Sequence, residues 1–235
     1  MGATQSDVQI LSAAESEEAK LAAEEAHRLL ATCLQPGWED SGFPPNHSTI
    51  SHDVKALKAV KARRFAALRW LRAEEALGTT VPVFPPTGPL AADVRQGMLG
   101  DCYFLAALSA IAEAQPSLLR QVLYSTDESQ KVGVCMCRLN RGGEWRQVPV
   151  SHSLPCRPEV LQMNAARRQE EAKEGRIFAF SSSAGCLWVP LLEKAWARVN
   201  GSYQAAERGD GAEALAALTG APARLYSLRY HAHSE

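Results

Sequence analysis

The residues best suited to chemistry lie in one stretch, Gln96-Gly97-Met98-Leu99-Gly100-Asp101-Cys102-Tyr103-Phe104-Leu105. Cys102 opens an apolar run with helical spacing, so its sulfur is expected at the first turn of a helix. That position carries a partial positive charge and unpaired backbone N–H groups. Both favour thiolate over thiol, and a thiolate can attack a carbonyl carbon. Gly97 and Gly100 let the chain turn tightly and approach a ligand closely. The curl they permit can bring the Gln96 amide back toward the sulfur. That amide and the Cys102 N–H would then face the oxyanion such an attack creates. Phe104, Leu105 and Leu108 supply the buried face that anchors the helix. A lone cysteine in a helix is usually an inert buried thiol. The glutamine, two glycines, aspartate and aromatic around this one argue for a nucleophile.

These residues need a scaffold, and the pattern along the chain supplies one that is mostly helical. An acidic helix is expected over 13–34, rich in Ala and Glu and stopped by Pro36-Gly37. Asp53 reads as the N-cap of a basic helix reaching Leu77, with Leu57, Val60, Leu68 and Leu71 as its apolar stripe. Four prolines make 78–92 an extended connector. The cysteine helix should run over 102–114, and Pro116 opens a shorter one to Tyr124. The segments 132–139 and 144–150 flank Arg141-Gly142-Gly143, a hairpin signal. A polar insertion, helical or loose, is expected over 159–174, further helices over 187–199 and 212–218, and a strand over 224–230.

Bulk composition bounds the function. The 235 residues are 46% hydrophobic, enough for one sizeable core with a helical extension. Lys and Arg total 25 against 26 Asp and Glu, a balance that points away from nucleic acid. No apolar run is long enough to span a membrane, and no secretory leader is evident. A reducing cytoplasm is therefore the expected location, with the six cysteines as free thiols. Cys135-Met136-Cys137 is too tightly spaced for a usual zinc pair and reads as a strand with buried thiols. Gly2, in Met1-Gly2-Ala3-Thr4-Gln5-Ser6, fits a myristoylation pattern that would anchor the chain only weakly. His152 follows the hairpin and is expected at the surface.

The stretch Gln-Gly-x-x-Gly-Asp-Cys-aromatic-x-Leu-Ala-Ala resembles the signature of the calpain family around its catalytic cysteine. A second segment is similar to another signature of that family: Leu187-Trp188-Val189-Pro190-Leu191-Leu192-Glu193-Lys194-Ala195-Trp196-Ala197, then Asn200-Gly201-Ser202-Tyr203. Trp38-Glu39-Asp40, Phe43-Pro44-Pro45, Arg69-Trp70, Glu144-Trp145 and Leu218-Thr219-Gly220 extend the likeness over about 37–223. The resemblance implies an α+β, mostly helical fold, the N-terminal cysteine-bearing lobe of a papain-like protease. Residues 1–36 would be a helical extension, 37–223 the lobe and 224–235 a truncated tail. Cys102 would be the nucleophile and Gln96 the oxyanion-hole side chain. The family cuts proteins at limited sites and is usually calcium-activated.

The chain also departs from that pattern. The family's catalytic histidine and asparagine belong to a second lobe, downstream of Glu235, so an incomplete chain with little activity of its own is expected. His231 and His233 lack the flanking pattern of a catalytic histidine. A calcium site in this lobe would take a connector carbonyl at Gly88 and the carboxylate of Asp93, but its expected Glu is Cys186 here, a poor ligand for a hard cation. Ser151-His152 stands where the family tends to carry an acid, and Tyr103 where it usually has Trp. Beside an endopeptidase acting on protein substrates, a non-catalytic calpain-like scaffold is the alternative.

Overall fold

The computed structural model describes residues 5–53, 57–183 and 185–224. The expected strand over 224–230, His231, His233 and Gly2 lie outside the described residues, apart from Arg224 at their edge. Helices and strands mix, with helix predominating. In chain order the elements are α1 (Gln5–Ala31), α2 (His47–Ile50), α3 (Ala59–Ala67), β1 (Arg69–Arg72), α4 (Ala73–Leu77), β2 (Arg95–Gln96), α5 (Cys102–Ala114) and α6 (Pro116–Val122). Then come β3 (Leu123–Tyr124), α7 (Asp127–Val132), β4 (Val134–Arg141), β5 (Glu144–Ser151), β6 (Ser153–Cys156), α8 (Ala165–Lys173), β7 (Ser181–Ser182), α9 (Trp188–Val199) and α10 (Gly211–Thr219).

All the described strand pairs are antiparallel. β3, β4 and β5 form one sheet in that order, β1 pairs with β6, and β2 with β7. The β4–β5 turn is Gly142-Gly143, with φ of 65° and 88°. Two successive left-handed residues make the hairpin turn whose twist matches the strands, and only glycine adopts them freely. Strand alternation explains the paired thiols of β4. Cys135, Cys137 and Leu139 face the main core, while Val134 and Met136 face the other way, where Ala26, Leu30 and Cys33 cover them. Burial pushes the Cys135 thiol up to about 12 and raises the Cys137 thiol well above its ordinary range, so both stay protonated.

The main core lies between α5 and α9. Phe104 stacks on Trp196 with centroids 5.1 Å apart, and Phe180 meets Tyr203 at 4.6 Å. Such offset aromatic contacts add to the area they bury. Trp188, Leu191, Leu192 and Ala195 are fully buried, so α9 is enclosed over most of its circumference.

One expectation is corrected. The basic helix over 53–77 is broken in three: after α3 the chain extends, and β1 pairs with β6 from Arg69↔Cys156 to Arg72↔Ser153. A long-range backbone ladder overrides the local helical pattern there. Val60 is 65% exposed, while Phe65 turns inward, edge-on to Phe180. The polar insertion over 159–174 holds a 3-10 turn at Pro158–Gln162 and then α8. Asn164 separates them, accepting the Arg167 N–H at 2.9 Å as an N-cap.

Candidate active site

Cys102 is the first residue of α5, and of the six cysteines it alone is exposed. Its helix is driven inward by Phe104, Leu105, Leu108 and Ile111, all buried. The sulfur is therefore held on a rigid element with its open side to solvent. As first-turn amides, the Cys102 and Tyr103 N–H groups have no acceptor within the helix. The Asp101 carbonyl accepts the Phe104 N–H at 2.8 Å and the Leu105 N–H at 3.3 Å, which closes the first turn.

Gln96 ends β2, held opposite Ser181 of β7. Its amide Nε2 donates to the Leu99 carbonyl at 2.8 Å, so the side chain curls over the turn that leads to Cys102. One amide proton is used there, and an amide carries two. Neither Gly97 nor Gly100 has a positive φ, so the turn from β2 to α5 does not use the left-handed region. Gly97 matters for a different reason. A Cβ there would overlap the carbonyls of Ala179 and Phe180, and the Met98 N–H bonds to that of Ala179 at 3.0 Å.

The segment after α9 borders the same turn. Glu207 Oε1 accepts the Gly100 N–H at 3.2 Å, and its carboxylate also pairs with Lys61. Tyr103 Oη donates to the Ala206 carbonyl at 2.7 Å and accepts the Trp196 Nε1–H at 2.9 Å. The segment 100–103 is thus tied to 206–207 at two points, one on either side of Cys102 in sequence.

Beneath Cys102 lies a pair of acids that the sequence reading did not assign. Asp101 is fully buried, and although it is the N-cap residue of α5 its carboxylate makes no capping bond. It meets instead the buried carboxyl of Glu193 from α9. Burial pushes both acids up, with the Asp101 charge adding to the Glu193 shift and Ser181 opposing it. The available signal was an acid inside an otherwise apolar helix, Leu191-Leu192-Glu193, together with an acid next to the nucleophile.

His152 corrects another expectation. It is 1% exposed, with Nδ1 3.1 Å from Glu74 Oε1, because its carbonyl accepts the Ala73 N–H and locks the residue inside. Its neighbour completes a buried polar cluster. Lys194 Nζ donates to Ser151 O, Ser151 Oγ and Ser153 O at 2.9, 2.8 and 2.7 Å, and both serine hydroxyls donate to Glu39. The acid missing after the hairpin is supplied from Glu39, through two serines. Among the described residues no histidine bonds to Cys102: His27 meets Tyr124, and His52 meets the Gly201 carbonyl.

The calcium candidates fit poorly. Asp93 Oδ2 accepts the Leu90 N–H at 2.9 Å and the Trp188 Nε1–H at 3.4 Å, so one carboxylate oxygen is already committed. Gly88 sits at a turn with φ of 90°, its N–H bonded to Pro85 O. Burial pushes the Cys186 thiol up to about 11, and a protonated thiol does not serve a hard oxygen-seeking cation.

A nucleophile-type thiol at the mouth of a buried helix, with an amide-bearing strand beside it, defines the class as cysteine proteases. The calpain family cysteine protease pattern matches residues 38–235, and the chain belongs to that family. Its relatives include calpain-10 of Mus musculus, 33% identical over 198 residues, covering 82% of this chain and 26% of the relative. The calpain-1 catalytic subunit of Rattus norvegicus is 32% identical over 216 residues, covering 89% of this chain and 27% of the relative. The chain thus spans about a quarter of the length of the curated relatives it matches.

Proposed function

We propose that residues 37–223 form the cysteine-bearing lobe of a calpain-type endopeptidase that cleaves cytoplasmic proteins at limited sites. The observation that carries this reading is the exposure of Cys102 alone among six thiols, at the first turn of α5. The thiolate would attack the scissile carbonyl carbon. The oxyanion would accept from the Cys102 N–H and from the Gln96 amide proton not used by Leu99 O. A protonated base must then give its proton to the leaving amine, and water must release the thioester. The base would come from a histidine- and asparagine-bearing lobe, because no described histidine serves Cys102.

The test is labelling by an electrophilic peptide epoxide, comparing wild type with Cys102→Ala, with and without a relative's second lobe in trans. The expected result is Cys102-dependent labelling that rises when that lobe is added. If Cys102 stays unlabelled with the lobe present, the chain acts as a calpain-like scaffold instead. Calcium at Gly88 and Asp93 is not part of the proposal. Adding calcium is expected to leave the melting temperature unchanged. A rise that Asp93→Asn abolishes would restore that site.

A further inference from the structure

Asp101 stands at the N-cap of α5, a position where Asp ordinarily accepts a first-turn N–H. Here it does not: both its oxygens are buried with no N–H or O–H donor among the assigned hydrogen bonds, and the same holds for Glu193 Oε1. The two carboxyls face each other from α5 and α9. Among the described residues no cation pairs with them. Buried Lys194 is spent on Ser151 and Ser153, and Lys61 on Glu207. The other titratable groups around the pair are Glu207, whose charge opposes ionisation of Asp101, and the phenols of Tyr103 and Tyr203. Ser181, opposite Gln96 in the β2–β7 ladder, approaches Glu193 from the strand side. Two buried carboxylates in contact cannot both stay charged, and one proton between them satisfies two of the unpaired oxygens.

We propose that Glu193 keeps a proton and donates it to the Asp101 carboxylate, and that this bond turns Asp101 away from the first turn of α5. Asp101 and Glu193 are then positioning residues, an assignment that rests on reading Cys102 as the nucleophile. An Asp that capped α5 would occupy its free N–H groups and set a full negative charge beside the sulfur. Drawn inward to Glu193, it leaves those N–H groups to the thiolate and later to the oxyanion. The same bond ties the nucleophile helix to α9 and, through Ser181, to the strand that carries Gln96.

The sign of the pH dependence follows from the raised acids. The folded chain holds protons that the unfolded chain releases, so stability falls as pH rises through the folded-state titration of the pair. The test follows two readouts across pH in the full chain: alkylation of Cys102 by iodoacetamide, mapped by peptide mass, and thermal unfolding. Glu193→Gln keeps an N–H donor for Asp101. It should retain the wild-type alkylation profile and lose the part of the alkaline destabilisation due to Glu193. Glu193→Ala removes the donor, frees Asp101 to cap α5, and should move the profile to higher pH by about one unit, roughly tenfold in neutral-pH rate.

An unmoved profile in folded Glu193→Ala overturns the proposal, as does Glu193→Gln shifting it equally far. If Glu193→Ala does not fold, Glu193→Gln decides alone: an alkaline stability loss identical to wild type refutes the shared proton. Failure of the protease reading is separate. It would show as wild-type Cys102 alkylating no faster than a cysteine in an unfolded peptide, whatever the variants do to stability.

Discussion

Tyr103 shows how much a single hydroxyl decides beside the nucleophile. As an aromatic it replaces one ring with another, yet its Oη bridges Trp196 of α9 to the Ala206 carbonyl. Tyr103→Phe should leave both partners unpaired and lower stability by about 1–3 kcal/mol, read from denaturant unfolding. A change of only a few tenths would show that the bridge contributes nothing. Lys194 offers a residue-level pH test. Burial pushes its ammonium from 10.5 down to about 8, against the charges of Glu39 and Asp40. The folded chain gives up that proton before the unfolded chain does, so this residue's contribution to stability rises between those two values. The difference between wild type and Lys194→Met should therefore shift in favour of wild type across that window. Urea titrations at a series of pH values check it, and a constant difference would contradict the burial argument.

At the scale of elements, the turn between β2 and α5 is shaped by steric contact with the segment before β7. Gly97 lies against the Phe180 carbonyl with no room for a Cβ, whereas a Cβ at Gly100 would meet Glu207 Oε1 at an ordinary 3.7 Å. Gly97→Ala must displace backbone, and displacing the strand that carries Gln96 by even about 1 Å can cost on the order of a hundredfold in rate. Its Cys102 labelling should fall at least that steeply toward background, while Gly100→Ala should label nearly as wild type. Equal labelling of the two variants would refute the steric account. The sequence reading assigned both glycines to turning and to ligand approach, and the structure adds a close packing contact at Gly97.

Across the whole molecule, α1 covers the second face of the β3–β4–β5 sheet. Ala26, Leu30 and Cys33 cover Val134 and Met136 on the side of β4 opposite the main core, and Arg138 reaches Glu18. Leu30 is 1% exposed, so Leu30→Ala should lower stability by about 2–5 kcal/mol, measured by denaturant unfolding, and should leave the α5–α9 core aromatic contacts intact. A loss under about 0.5 kcal/mol would mean that α1 does not hold this face in solution.

The sequence by itself determined the candidate thiol, the family and the stronger elements. α5, α6, α9, α10 and the β4–β5 hairpin were legible because apolar periodicity, Pro116 and Gly142-Gly143 act over neighbouring residues. The short strands β1, β2, β6 and β7 were not legible, because each exists only through a partner far along the chain. The same holds for His152, expected at the surface and found inside against Glu74, and for Asp101, whose inward turn depends on an acid of α9. Local spacing shows which residue type can do chemistry. Which neighbour then shares its proton, occupies its hydrogen bond or excludes its side chain is a matter of contact across the fold, and only the tertiary structure decided it.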